Sequence, residues 1–167
     1  SGGDAWRDES LVASLNRWVY NGGVLLGIEE PSAVGGCGDT FRMARVLGVD
    51  EDMGARVCHG RWAIAEQPVD GLIPDGATLE THEHLYLTDG DTRVLAAVDG
   101  LPAIATHTFG KGRGVYMAGF AYSPVNARML LNLLLWAKGL PLDSDLLPDD
   151  PHTEAAWFPA DRTLVVI

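Results

Sequence analysis

The sequence predicts an α/β fold, a strand layer covered by helices, with β-hairpins in its middle and the first strands of an all-β unit at its end. Three observations carry this reading. An amphipathic helix leads straight into the short, continuously apolar run Val24-Leu25-Leu26-Gly27-Ile28, as a strand buried on both faces of a parallel sheet does. Shorter alternating segments punctuated by Gly, Pro and Asp occupy residues 55–98. A long apolar-striped helix then begins at Ser123-Pro124.

Each element has a local cause. Asp4 or Asp8 caps the first helix, whose Leu11, Val12, Leu15, Trp18 and Val19 follow the 3.6-residue period until Gly22-Gly23 stops it. After the strand at 24–28 comes the loop Gly35-Gly36-Cys37-Gly38-Asp39. There Asp39 or Thr40 caps a second helix, Phe41-Arg42-Met43-Ala44-Arg45-Val46-Leu47, closed by Gly48. Strands are expected at 61–66, 85–88 and 93–98, with turns at Pro68-Val69-Asp70-Gly71, Pro74-Asp75-Gly76 and Asp89-Gly90. Asp99-Gly100 joins 94–98 to 103–107 as a hairpin, and Gly110-Lys111-Gly112 returns the chain through 114–118. In the last helix Ser123 is the N-cap, Pro124 takes the first helical position, and Val125, Met129, Leu130, Leu133, Leu134 and Trp136 face inward before Gly139. Pro and Asp crowd the stretch 141–151, so the chain divides into a domain at 1–142, a linker at 143–152 and a β segment at 153–167. That segment reads as a hairpin, Ala155-Ala156-Trp157-Phe158, a turn at Pro159-Ala160-Asp161, and a strand from Thr163.

With 167 residues, 47% of them hydrophobic, the chain can bury one good core. It opens on Ser1 and closes on what looks like an interrupted strand, so it is expected to be excised from a longer polypeptide. The net charge of −11 repels nucleic acid and anionic lipid, and no apolar run approaches the ~20 residues of a spanning helix, so neither nucleic acid nor membrane is an expected partner. Cys37 and Cys58 make no disulfide scaffold, and the expected location is the cytoplasm.

The candidate chemistry is sparse. Cys37 lies in a Gly-rich loop between strand and helix, where α/β enzymes place nucleophiles, but Glu29-Glu30-Pro31-Ser32-Ala33-Val34 separates it from the strand end and its acidic neighbours oppose thiolate formation. His82-Glu83-His84 would place two imidazoles on one face if the segment were a strand, but a third metal ligand is lacking, neither Cys58, His59 nor His107 has a spacing that supplies one, and the pair reads as surface or edge-strand histidines. Gly110-Lys111-Gly112-Arg113-Gly114 superficially suggests a phosphate loop, yet it runs into a strand and not a helix, so it reads as a hairpin turn. Asp143, Asp145, Asp149 and Asp150 lack the spacing of a calcium loop and read as solvated linker. The corner Phe120-Ala121-Tyr122-Ser123-Pro124 lies where open α/β sheets receive ligands, so Tyr122, Ser123 and Arg128 are the candidate contacts to a ligand or another domain. No catalytic, cofactor-binding or metal-binding residue is assigned.

The segments Trp18-Val19-Tyr20-Asn21-Gly22-Gly23-Val24-Leu25-Leu26, Met43-Ala44-Arg45-Val46-Leu47-Gly48-Val49 and His107-Thr108-Phe109-Gly110-Lys111-Gly112-Arg113-Gly114-Val115-Tyr116 resemble a class I glutamine-amidotransferase-like domain, a flavodoxin-like three-layer α/β fold. The chain offers no intact amidotransferase triad. More closely, over essentially all 167 residues, it resembles the central domain of the 1,3-β-galactosyl-N-acetylhexosamine (lacto-N-biose) phosphorylases. That resemblance implies a TIM-barrel-like catalytic domain before this segment and a C-terminal β domain after it. It also implies a homo-oligomer such as a dimer, no cofactor, and inorganic phosphate as co-substrate in an inverting phosphorolysis to α-galactose 1-phosphate. The catalytic acid and the phosphate-binding arginines then belong to the barrel, and this domain has a supporting or subunit-association role. The alternative is a free-standing glutaminase- or hydrolase-like enzyme that uses Cys37.

Overall fold

The computed structural model describes residues 3–34, 40–52, 57–58, 62–82, 84–142, 153, 155–158 and 160–166. In chain order they form α1 (Glu9–Tyr20), β1 (Val24–Ile28), α2 (Ala44–Leu47), β2 (Val49–Glu51), β3 (Val57–Cys58), β4 (Trp62–Ile64), β5 (Thr81–His82), β6 (Leu85–Leu87), β7 (Arg93–Val98), β8 (Leu101–Phe109), β9 (Gly112–Met117), α3 (Pro124–Lys138), β10 (Ala155–Phe158) and β11 (Thr163–Val166).

Five strands make the main sheet in the order β1-β9-β8-β7-β4. Among the described strands only β1 and β9 are parallel, with Val24 opposite Arg113 and Ile28 opposite Met117; the other pairs are antiparallel. The two expected hairpins are present. Val98 pairs with Leu101 across Asp99-Gly100, both of which have positive φ (48° and 85°), so the turn twists with its strands and a glycine suits its second position. Phe109 pairs with Gly112 across Gly110-Lys111.

Alternation along β8 and β9 sends side chains to two cores. Ala105, Tyr116 and Ala118 join Val12, Val19, Val46 and Leu47 on the face covered by α1 and α2. Ile104, Val115 and Met117 join Met129 and Leu133 of α3, together with Leu72, Ile73, Ala77 and Leu79, on the other. Those last four come from a loop without regular structure, pinned by Asn132, whose Nδ2 donates to the Gly71 carbonyl at 2.8 Å. Helix α3 begins and ends where the sequence predicts, with Ser123 Oγ accepting from the Asn126 N–H and Gly139 in the left-handed region.

Several expectations are corrected. Strand β1 is half-buried, because it is an edge strand of the main sheet among the described residues. The second helix is a single turn, Ala44–Leu47, in place of the expected 41–47. Its upstream N–H groups are taken by other acceptors: Phe41 donates to Asp50 Oδ1 at 2.7 Å and Met43 to Ser32 Oγ at 2.9 Å. Of the two capping candidates for that helix, Asp39 lies outside the described residues and Thr40 is not the cap. Of the strand expected at 61–66, Arg61 lies outside the described residues and the strand ends at Ile64, since the Ala65 and Glu66 N–H groups both turn onto the Leu95 carbonyl. Trp18 and Leu134, expected inside, are 51% and 39% exposed. Asp8, of the two candidates at the first helix, is the cap, accepting from Ser10 and Leu11. The expected terminal hairpin is present as β10 and β11, and the described side chains of β11 are all exposed.

Candidate functional site

The strand-to-helix corner holds the three residues that the sequence singles out. Tyr122 is 84% exposed, the Ser123 hydroxyl is engaged in the helix cap, and Arg128 sits half-buried one turn further on. The polar centre of this corner is a residue that sequence reasoning missed. Asn126 is fully buried: its Oδ1 accepts from the Thr78 N–H at 2.9 Å, and its Nδ2 faces Thr78 O at 3.2 Å, Thr78 Oγ1 at 2.8 Å and Ala121 O at 2.6 Å. It staples α3 to the loop at 77–80 and gives the corner a structural reason to be polar.

A second polar group gathers near the carboxyl end of the parallel pair, where Glu29 and Glu30 follow β1. Glu51 on β2 has no solvent exposure, and among the described residues neither carboxyl oxygen has a hydrogen-bond partner. Burial pushes its pKa up; Glu30 and Asp50 reinforce the rise, while His82 and His84 oppose it. Burial likewise raises the phenol pKa of Tyr116, with Glu51, Glu30 and Glu29 adding to it, and the phenol donates to the Glu29 carbonyl at 3.1 Å. Asp50 is by contrast well satisfied, accepting from the N–H groups of Phe41 and Glu51 and, at 3.3 Å, from the Tyr86 hydroxyl. Burial thus penalises the charged form of the Glu51 carboxyl.

His82 and His84 do not share a strand face, since β5 ends at His82. His82 is buried in β5 with its Nδ1 unpartnered among the described residues, whereas His84 is exposed in the following turn. Among the described residues no three His, Cys, Asp or Glu side chains are placed to share a metal ion. Cys37, Asp143, Asp145, Asp149 and Asp150 lie outside the described residues, and no described helix is long and apolar enough to cross a membrane. The stretch Gly110-Lys111-Gly112-Arg113-Gly114 forms the β8–β9 turn and the first half of β9. Its Lys111 and Arg113 N–H groups donate to the Tyr20 and Gly23 carbonyls, so they do not form a backbone cradle for phosphate.

Comparison with known proteins places these features in a family. A family profile described as the lacto-N-biose phosphorylase central domain matches residues 1–141. The chain is 41% identical over all 167 residues to a D-galactosyl-β-1,4-L-rhamnose phosphorylase of Lachnoclostridium phytofermentans, covering 23% of that protein. It is 29% identical, over a 213-residue alignment that covers all of this chain and 27% of the relative, to a 1,3-β-galactosyl-N-acetylhexosamine phosphorylase of Bifidobacterium longum. The chain thus spans about a quarter of the length of these relatives. Among solved structures it is similar to part of a β-galactosidase from Bacillus circulans sp. alkalophilus, with a TM-score of 0.59 at 18% identity over 89% of this chain and 23% of that one. A β-galactosidase from Rahnella sp. R3 gives 0.57 at 17% identity with the same coverage. These structural likenesses speak to the fold. The match across residues 1–141 establishes that the chain belongs to the lacto-N-biose phosphorylase central-domain family.

Proposed function

We propose that the chain is the non-catalytic central domain of an inverting phosphorylase that acts on β-galactosides. The alignment of the whole chain, at 41% identity, with a galactoside phosphorylase carries this reading. In such a reaction a carboxylic acid protonates the glycosidic oxygen while inorganic phosphate attacks the anomeric carbon from the opposite face. The bond to the leaving sugar breaks as the new C–O bond to phosphate forms, giving α-galactose 1-phosphate. In this reading the acid and the phosphate-binding side chains belong to a TIM-barrel-like domain of the same polypeptide, and inorganic phosphate is a co-substrate, with no cofactor.

The fold we propose is the class I glutamine-amidotransferase-like, three-layer arrangement. Helices on both faces of a sheet with a parallel β1–β9 pair support it. The exposed β10–β11 hairpin then begins a C-terminal β domain, because a two-stranded hairpin is marginal without further strands or packing. The domain supports the barrel and takes part in subunit association in a cytoplasmic homo-oligomer, such as a dimer.

Two acceptor sugars are in view. The resemblance to lacto-N-biose phosphorylases points to N-acetylhexosamine in β-1,3 linkage, whereas 41% against 29% identity favours L-rhamnose in β-1,4 linkage. Full-length protein supplied with inorganic phosphate and each disaccharide decides between them. Galactose 1-phosphate should appear with one of them and survive Cys37→Ala. Hydrolysis of glutamine that is abolished by Cys37→Ala, without phosphorolysis, would establish the free-standing cysteine enzyme.

A further inference from the structure

The chain contains only two lysines, Lys111 and Lys138, and both line one small cavity at the amino end of the β1–β9 pair. Its volume is about 160 Å³, and Arg113 and Thr108 line it together with Gly22, Val24, Gly112 and Ala137. The three cations come from different places: the β8–β9 turn, the start of β9 and the last turn of α3. Lys138 alone would be the ordinary cation of a helix C-terminus, and Lys111 an ordinary turn residue. All three border this one cavity in a chain with 23 carboxylates and 12 bases, and Arg113 also borders the neighbouring hollow lined by Trp136 and Asp70. None of the ion pairs made by the described residues involves Lys111, Arg113 or Lys138.

The site is also held rigidly. The Lys111 N–H donates to Tyr20 O at 2.8 Å and the Arg113 N–H to Gly23 O at 3.1 Å, clamping the hairpin onto the α1–β1 turn. A Cβ at Gly112 would overlap the Val19 and Gly23 carbonyl oxygens, so only glycine permits this approach. The Arg113 guanidinium lies 4.4 Å from the Trp136 ring centroid, which fixes its plane. Partial burial, with Arg93 adding to it, lowers the Arg113 pKa, as expected of a cation short of a counterion.

We propose that this cavity is an anion site for a phosphate group, free or carried on a sugar, gripped by the side chains of Lys111, Arg113 and Lys138. The backbone amides of the glycine-rich turn are already engaged, so the grip is made by side chains, unlike a phosphate loop. The size suits inorganic phosphate or a monosaccharide phosphate, and the site stands whether or not the phosphorylase reading holds.

Lysine acetylation followed by mass spectrometry of the full-length protein tests this, because the two lysines report the site without interference from elsewhere in the segment. Inorganic phosphate and galactose 1-phosphate are added in separate arms, with chloride at equal ionic strength as the control. At a ligand concentration tenfold above Kd, acetylation of both lysines should slow about tenfold. Protection by both ligands identifies the phosphate group itself, and protection by galactose 1-phosphate alone identifies the phosphorylated sugar; either supports the site. Arg113→Met, which keeps an apolar stem against Trp136, should abolish the protection while far-UV circular dichroism stays unchanged. Equal slowing by chloride, protection of one lysine only, no protection by either ligand, or protection that persists in Arg113→Met would overturn the proposal.

Discussion

Replacing Asn126 by alanine tests whether the corner between β9 and α3 is held by hydrogen bonds. The Asn126 carboxamide has two N–H groups facing three acceptors, so its four contacts amount to three good bonds, one accepted and two donated. At about 1 kcal/mol net for each, their loss costs roughly 3 kcal/mol. Thr78 and Ala121 are themselves exposed, so water can rehydrate their backbone groups and the penalty for orphaned atoms is small. A loss of about 2–4 kcal/mol is therefore expected, a large share of the 5–15 kcal/mol typical of a domain. Urea unfolding of the 167-residue chain followed by circular dichroism should give this as a lower midpoint at unchanged slope. The isosteric Asn126→Asp separates bonding from volume. It fills the same space but turns an oxygen toward Thr78 O and Ala121 O, so at neutral pH it should be at least as destabilising as alanine. An aspartate variant within about 1 kcal/mol of the parent would refute the reasoning, since the hydrogen bonds would then contribute little.

Three further outcomes follow from the cores and the buried acid. Leu133→Ala, at a fully buried position against the sheet, should cost about 2–5 kcal/mol in the same assay. Gly112→Ala should cost about 3 kcal/mol or more, because the obstructing atoms are backbone carbonyls that cannot move aside, and thermal unfolding reads the change. Glu51 has its pKa raised by burial, so the folded state binds its proton more tightly than the unfolded state does. Its penalty is absent below the unfolded carboxyl pKa and grows as pH rises toward the elevated folded value. Glu51→Gln should therefore flatten the decline of melting temperature with rising pH above that point, and a profile unchanged by the substitution would count against a strained carboxyl.

The elements that local chemistry determines were legible from the residues. Helix α3 carries its own cap, N-terminal proline and terminal glycine, and both hairpins carry turn residues suited to their backbone. What escaped depends on partners remote in sequence. Asn126 and Asn132 look like ordinary polar positions on α3 until residues 71 and 78 come to meet them. The 41–47 segment has helical composition, but Asp50 and Ser32 divert its first N–H groups. Leu72, Ile73, Ala77 and Leu79 enter the core from a loop, and no period marks such residues as buried. Tyr122, Ser123 and Arg128 were picked from topology, and Glu51 was missed because nothing local distinguishes it from a surface acid.

The parallel β1–β9 pairing, alone of its kind among the described residues, delays part of the sheet's assembly. Strands β7, β8 and β9 close on one another through turns of two residues, so this meander can zip up from local contacts as soon as it exists. Val24, by contrast, must wait for Arg113, almost at the far side of the domain in sequence. During synthesis from the N-terminus, α1 and β1 leave the ribosome with their apolar faces uncovered and stay so until β9 has emerged. The apolar run 24–28 is thus the part of this domain most exposed to wrong pairing in a nascent chain, and its docking completes the sheet.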